Sequence, residues 1–65
     1  MMDKKTIGAR LRKARGNKKI VTVARDIGVS PSAISNYELG FRIPQDKIKV
    51  KLANYYSQGI ESLFF

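Results

Sequence analysis

The chain carries no Cys and no His, which removes thiolate and imidazole metal ligands, disulfides, a Cys nucleophile and the usual general base at neutral pH. Its five carboxylates, Asp3, Asp26, Glu38, Asp46 and Glu61, form no recognisable acid–base pair or metal cluster. Enzyme chemistry is disfavoured, and no cofactor, metal or small-molecule substrate is expected. Hydrogen bonding and charge remain. Ser32 and Asn36 stand four residues apart, one helical turn, so that on a helix both can reach neighbouring base edges of a nucleic acid. Asn suits adenine through paired contacts to N6 and N7, whereas Ser accepts several bases and discriminates less. Thirteen Lys and Arg against five Asp and Glu leave a net charge of +8, a density that points to a polyanionic partner. The charge gathers near one end: Lys4, Lys5, Arg10, Arg12, Lys13, Arg15, Lys18 and Lys19 all fall within the first nineteen residues.

Sixty-five residues allow one small domain, too short for separate catalytic and substrate lobes. A domain of this size buries only about 60% of its unfolded surface, so modest stability is expected. No segment approaches the roughly 20 apolar residues that span a bilayer, and charges stand where a signal peptide needs an apolar stretch. The expected location is the cytoplasm.

Apolar periodicity predicts five helices. Ile7, Leu11 and Ala14 share one face of a first helix at about 6–15, which Thr6 can cap and Gly16 can end. Ile20, Val23, Ala24 and Ile27 recur at i, i+3, i+4 and i+7, predicting a second helix over 20–27 that stops at Gly28. The β-branched run Ile20-Val21-Thr22-Val23 reads as strand on propensity alone. Ser30-Pro31 opens a third helix at about 31–39, with Ser as N-cap and Pro preset for the first turn; Ile34 and Tyr37 face inward and Gly40 terminates it. The segment Lys47 to Leu52 alternates like a half-buried strand. Against that, Ile48, Leu52, Tyr55 and Tyr56 form a helical stripe, Asp46 suits a helix N-terminus, and no second strand is available for pairing. A fourth helix at about 45–56 is chosen. Ser57-Gln58-Gly59 breaks it, and Ile60, Leu63 and Phe64 fit a short last helix.

Two short helices joined by Gly28-Val29-Ser30 match a helix-turn-helix, whose second helix enters the DNA major groove. Ala24 is small enough for close approach, Gly28 can take a positive φ, and Val23, Ile27, Ile34 and Tyr37 can seal the angle between the helices. With Ile34 inward, Ser32, Ser35, Asn36 and Leu39 fall on the opposite side of the third helix, although Leu39 is expected to pack at the helix end.

These residues resemble the phage Cro/lambda-repressor-like, or XRE-type, helix-turn-helix regulators. The resemblance spans nearly the whole chain. It rests on Ile7-Gly8, Leu11-Arg12 and Arg15; on Ala24 with Gly28-Val29-Ser30; on Ile34-Ser35-Asn36-Tyr37-Glu38 with Gly40; and on Arg42, Pro44 and Leu52-Ala53. It implies a compact all-α, five-helix lambda-repressor-like domain that reads double-stranded operator DNA, usually as a symmetric dimer, to regulate transcription. Base contacts then map to Ser30, Pro31, Ser32, Ser35 and Asn36, with Ser30 above all a cap and Pro31 limited to apolar contact. Lys19 and Arg42 occupy the places where the family grips the sugar-phosphate backbones; Lys18 and Lys13 are weaker candidates. Ile20 departs from the polar residue often found at the start of helix 2, so that contact is lost or passes to a backbone N–H. The family commonly joins the positions of Arg15 and Glu38 in an ion pair. Gln58 and Gly59 also depart from the family pattern, which favours a Ser-like cap and an apolar residue, leaving the last helix loosely held.

Leu63 and Phe64 are expected to close the core against the first helix. Phe65, with Tyr55 or Tyr56, is the candidate patch for a homodimer, which would cover two half-sites of a palindromic operator about one DNA turn apart. A repressor is the first reading. The rival is a protein-interaction module on the same fold, an antitoxin or antirepressor, which would need neither Lys19 nor Arg42. Attachment of the basic first helix to an anionic membrane is disfavoured by the scarcity of large exposed apolar residues there.

Overall fold

The computed structural model describes residues 3–65, which form five helices and, among the described residues, no strand. They are α1 (Lys4–Arg15), α2 (Ile20–Ile27), α3 (Pro31–Glu38), α4 (Asp46–Tyr55) and α5 (Ile60–Phe64). The first begins earlier than the apolar stripe indicated, and its cap is Asp3 rather than Thr6. The Thr6 backbone N–H donates to Asp3 Oδ1 at 2.8 Å and the Ile7 N–H to the Asp3 carbonyl at 3.1 Å. A carboxylate at this position meets both an orphan N–H group and the positive end of the helix. Hydrogen bonding from Thr6, first its backbone N–H and then its side chain, holds the Asp3 carboxyl below its usual range.

The ambiguity in the fourth element resolves as helix. Leu52 is buried and Ile48, Tyr55 and Tyr56 are half-buried against the core, while Lys47, Val50 and Lys51 face outward. The helix stops through Ser57, which takes φ 56°. Its N–H donates to the Asn54 carbonyl at 3.2 Å and the Gln58 N–H to the Ala53 carbonyl at 2.9 Å, the pairing of a Schellman ending. Gly59 keeps an ordinary φ of −66° as the N-cap of α5 and supplies no side-chain cap.

Val23, Leu52 and Leu63 are the largest fully enclosed side chains, surrounded by Ile7, Leu11, Ile27, Ile34, Tyr37 and Phe64. The helix α3 therefore has α1 on one side and α2 on another, and α5 closes the core against α1 and α4. The contact of α1 with α3 is made backbone to backbone at Gly8. A Cβ there would lie 2.5 Å from the Glu38 carbonyl oxygen and 2.7 Å from that of Tyr37. Only a residue without a side chain lets α1 reach the C-terminal end of α3.

Candidate nucleic-acid interface

The turn that aims α3 is fixed at Gly28, with φ 90° and ψ 33°. The Gly28 N–H donates to the Ala24 carbonyl at 2.8 Å and the Val29 N–H to the same oxygen at 3.0 Å. A Cβ at Gly28 would touch nothing within 4 Å, so glycine is required by backbone angle rather than by space. Two residues on, Ser30 Oγ accepts from the Ala33 N–H at 3.1 Å, and Pro31 follows in the first turn of α3.

With Ile34 and Tyr37 in the core, the opposite side of α3 is open: Ser32 is exposed, and Ser35 and Asn36 are half-buried. Leu39 does not pack at the helix end as expected. It is 59% exposed. Its backbone remains right-handed helical, with φ −82° and ψ −5°, and its N–H reaches the Ser35 carbonyl at 2.9 Å. Ser32, Ser35, Asn36 and Leu39 thus stand at i, i+3, i+4 and i+7, one outward stripe.

The end of α3 is closed by Gly40 at φ 80°. Its N–H donates to the Tyr37 carbonyl at 3.3 Å, and the N–H groups of Phe41 and Arg42 both reach the Asn36 carbonyl, at 2.9 and 3.3 Å. The exposed Arg42 is therefore fastened to the helix that carries Asn36. Lys19 is exposed at the N-cap of α2. Lys18 is also exposed, its ammonium 5.7 Å from the centre of the Tyr55 ring. Lys13 lies elsewhere: it lines a cleft with Arg10, Ala14, Gln58 and Ser62, on the α5 side of α1.

Behind the open stripe, Arg15 and Glu38 meet in a two-pronged pair, Nε to Oε2 at 2.7 Å and Nη2 to Oε1 at 3.1 Å. The third prong of the guanidinium, Nη1, donates to the Lys18 carbonyl at 2.6 Å. With side chains only 12% and 7% exposed, the pair locks α1, the loop before α2 and the end of α3 together. Donation of these hydrogen bonds to Glu38 raises the Arg15 pKa further. Burial first, and then the nearby Glu38 charge, pushes the Tyr56 hydroxyl up to about 12.

Tyr55 and Tyr56 do not form the exposed patch expected with Phe65. Both are half-buried against the core, and the Tyr55 hydroxyl donates to Asp26 Oδ2 at 2.7 Å. Phe65 is 70% exposed, with Lys49 Nζ 5.6 Å from its ring centre. Three long-range ties had no signal in the sequence: Tyr55 to Asp26, Lys51 Nζ to the Ile27 carbonyl at 3.4 Å, and an Arg10 Nη1 bond of 2.7 Å to the Ser62 carbonyl. Each joins residues far apart in the chain, where no periodicity links them.

A helix-turn-helix family model matches residues 9–62. The chain belongs to this family. Neither the curated proteins nor the solved structures compared with it give a match. As a helix-turn-helix protein it is of the DNA-binding regulator class, in the XRE-type, Cro/lambda-repressor-like group. Its ligand class is double-stranded DNA, and catalysis is not typical of the family. Among the described residues, no helix is long and apolar enough to cross a membrane.

Proposed function

We propose that this helix-turn-helix protein is a transcriptional repressor that binds a specific operator with α3 in the major groove. The observation that carries the reading is the outward stripe of α3, presented on the far side from a core that fixes the helix at both ends. In this reading Asn36 pairs with adenine, and Ser32 and Ser35 contact neighbouring base edges. Ser30 adds a contact to its capping role, and Pro31 offers an apolar one. Lys19 and Arg42 grip phosphates on either side, with Lys18 in support. Lys13 is the least favoured phosphate ligand, because its cleft faces α5.

A palindromic operator and a homodimer complete the proposal, with the exposed Phe65 as the apolar contact between copies and Tyr55 and Tyr56 only lending their half-buried edges. The whole chain acts as one DNA-binding domain working at the nucleoid in the cytoplasm. Selection of bound duplexes from a random pool tests the reading, and enrichment of a two-fold symmetric site is expected. Arg42→Ala should weaken every sequence alike and lower the salt slope by nearly one unit. Asn36→Ala should cost about 1 to 3 kcal/mol on the selected site and relax one base position. Equal losses on selected and random DNA from both variants would overturn the assigned roles.

A further inference from the structure

The outward stripe of α3 holds one residue that neither hydrogen bonding nor core packing uses. Leu39 is 59% exposed, at the end of a row otherwise built from Ser32, Ser35 and Asn36. Its helical backbone angles and its N–H bond to Ser35 keep its side chain in line with that row rather than letting it fold back over Gly40. Beside two serines and an asparagine, the leucine is the one apolar side chain of the row and the more exposed of its C-terminal members. The adjoining segment is tied down by the bonds from Phe41 and Arg42 to the Asn36 carbonyl, so the leucine is presented from fixed backbone. In the major groove the only apolar group that a base pair displays is the 5-methyl of thymine.

We propose that Leu39 reads the 5-methyl group of a thymine in the operator; the inference rests on the DNA-reading function above. One helical turn, about 5 Å, separates Leu39 from Asn36, so the thymine falls within about two base pairs, at roughly 3.4 Å each, of the adenine that Asn36 contacts. Contact with a methyl group distinguishes thymine from cytosine at that position and equally from uracil, which differs from thymine by the methyl alone.

The test uses the full chain and the duplex selected from a random pool, with each thymine replaced in turn by deoxyuridine. Wild type should lose about fourfold in affinity at one position in each half-site, the worth of one buried methyl, close to the position relaxed by Asn36→Ala. Leu39→Ala should bind the all-thymine duplex about as weakly as wild type binds the duplex with uracil at that position in both half-sites, and should be indifferent to the same replacement. Leu39→Met, which keeps an apolar side chain of similar reach, should retain the sensitivity. Because the side chain is exposed, these variants leave the core intact, and unchanged thermal unfolding checks this. Absence of any uracil-sensitive position, or equal sensitivity in Leu39→Ala, would overturn the assignment of Leu39 while leaving the DNA-reading function standing. Failure of the pool to enrich any sequence would overturn both.

Discussion

Gly8→Ala is the substitution for which helix propensity and packing predict opposite signs. Alanine in the middle of α1 favours the helix by about 1 kcal/mol over glycine. At this position, however, the new methyl would meet the carbonyl oxygens of Glu38 and Tyr37 at 2.5 and 2.7 Å. Carbon rarely approaches a carbonyl oxygen closer than about 3.3 Å, so α1 and α3 must separate by roughly 0.8 Å. The atoms struck are backbone, held by the last turn of α3, and cannot rotate away. Overpacking of this kind costs about 1–3 kcal/mol, and the upper end applies because Glu38 moves with its carbonyl and pulls on its bonds to Arg15. The net expectation is a loss of about 2 kcal/mol from a domain whose whole stability is about 3–10 kcal/mol. That corresponds to a fall of about 8–16 °C in Tm. Urea unfolding followed by circular dichroism at the helix band measures it, with Ala9→Gly on the exposed side of the same turn reporting propensity alone, about 1 kcal/mol. A Gly8→Ala variant as stable as wild type, or more so, would refute the close backbone approach of α1 and α3.

Further substitutions probe the joints around α3. A double-mutant cycle on Arg15→Ala and Glu38→Ala should give a coupling of about 1–3 kcal/mol, since either single change leaves an enclosed charge without its partner; zero coupling in denaturant unfolding would show that the pair contributes nothing. Ser57→Gly should stabilise by about 1 kcal/mol, because the serine pays for a left-handed backbone that glycine adopts freely, and an unchanged urea midpoint would count against that. The Tyr55–Asp26 hydrogen bond should give a stability bounded in pH. The hydroxyl holds Asp26 below its ordinary 3.8, so this contribution is present above that value and fades as pH falls through the lowered pKa. The same bond raises Tyr55 above 10.0, so the contribution is present below that value and fades as pH rises through the raised pKa. The Tm gap between wild type and Tyr55→Phe should be open near neutral pH and closed in strong acid; a gap that persists in acid would contradict the assignment.

Much of the fold was legible because the apolar stripes are short and bounded by residues with a mechanism. Gly28 and Gly40 take the positive φ values that end α2 and α3, and Ser30-Pro31 opens α3 with the cap its types dictate. The strand-like alternation of Lys47 to Leu52 was outweighed by the helical stripe, and the element is a helix. A lone strand has nothing to pair with, whereas the stripe from Ile48 to Tyr56 has a core to cover. The start of α1 was misjudged because Asp3 lies ahead of the apolar pattern, where only hydrogen-bond geometry reveals a cap. Leu39 and the tyrosines were misread for a related reason. Hydrophobicity says that a side chain gains by burial, but α3 turns Leu39 away from the core, while the tyrosine rings pack against it and Tyr55 keeps its hydroxyl at the surface on the distant Asp26. The direction of the open stripe on α3 follows from helical periodicity, and its rigidity from contacts between residues that no spacing rule connects.

The Asn36 carbonyl receives the N–H groups of both Phe41 and Arg42. In the proposed complex, the side chain that names a base and the cation that holds the strand beside it are thus two arms of one calliper, pivoted on a single peptide group. Neither arm can slide by a nucleotide without opening the other. An insertion between Gly40 and Arg42 would free the cation to find another phosphate, and would loosen the alignment of protein and sequence while leaving every base-contacting residue in place.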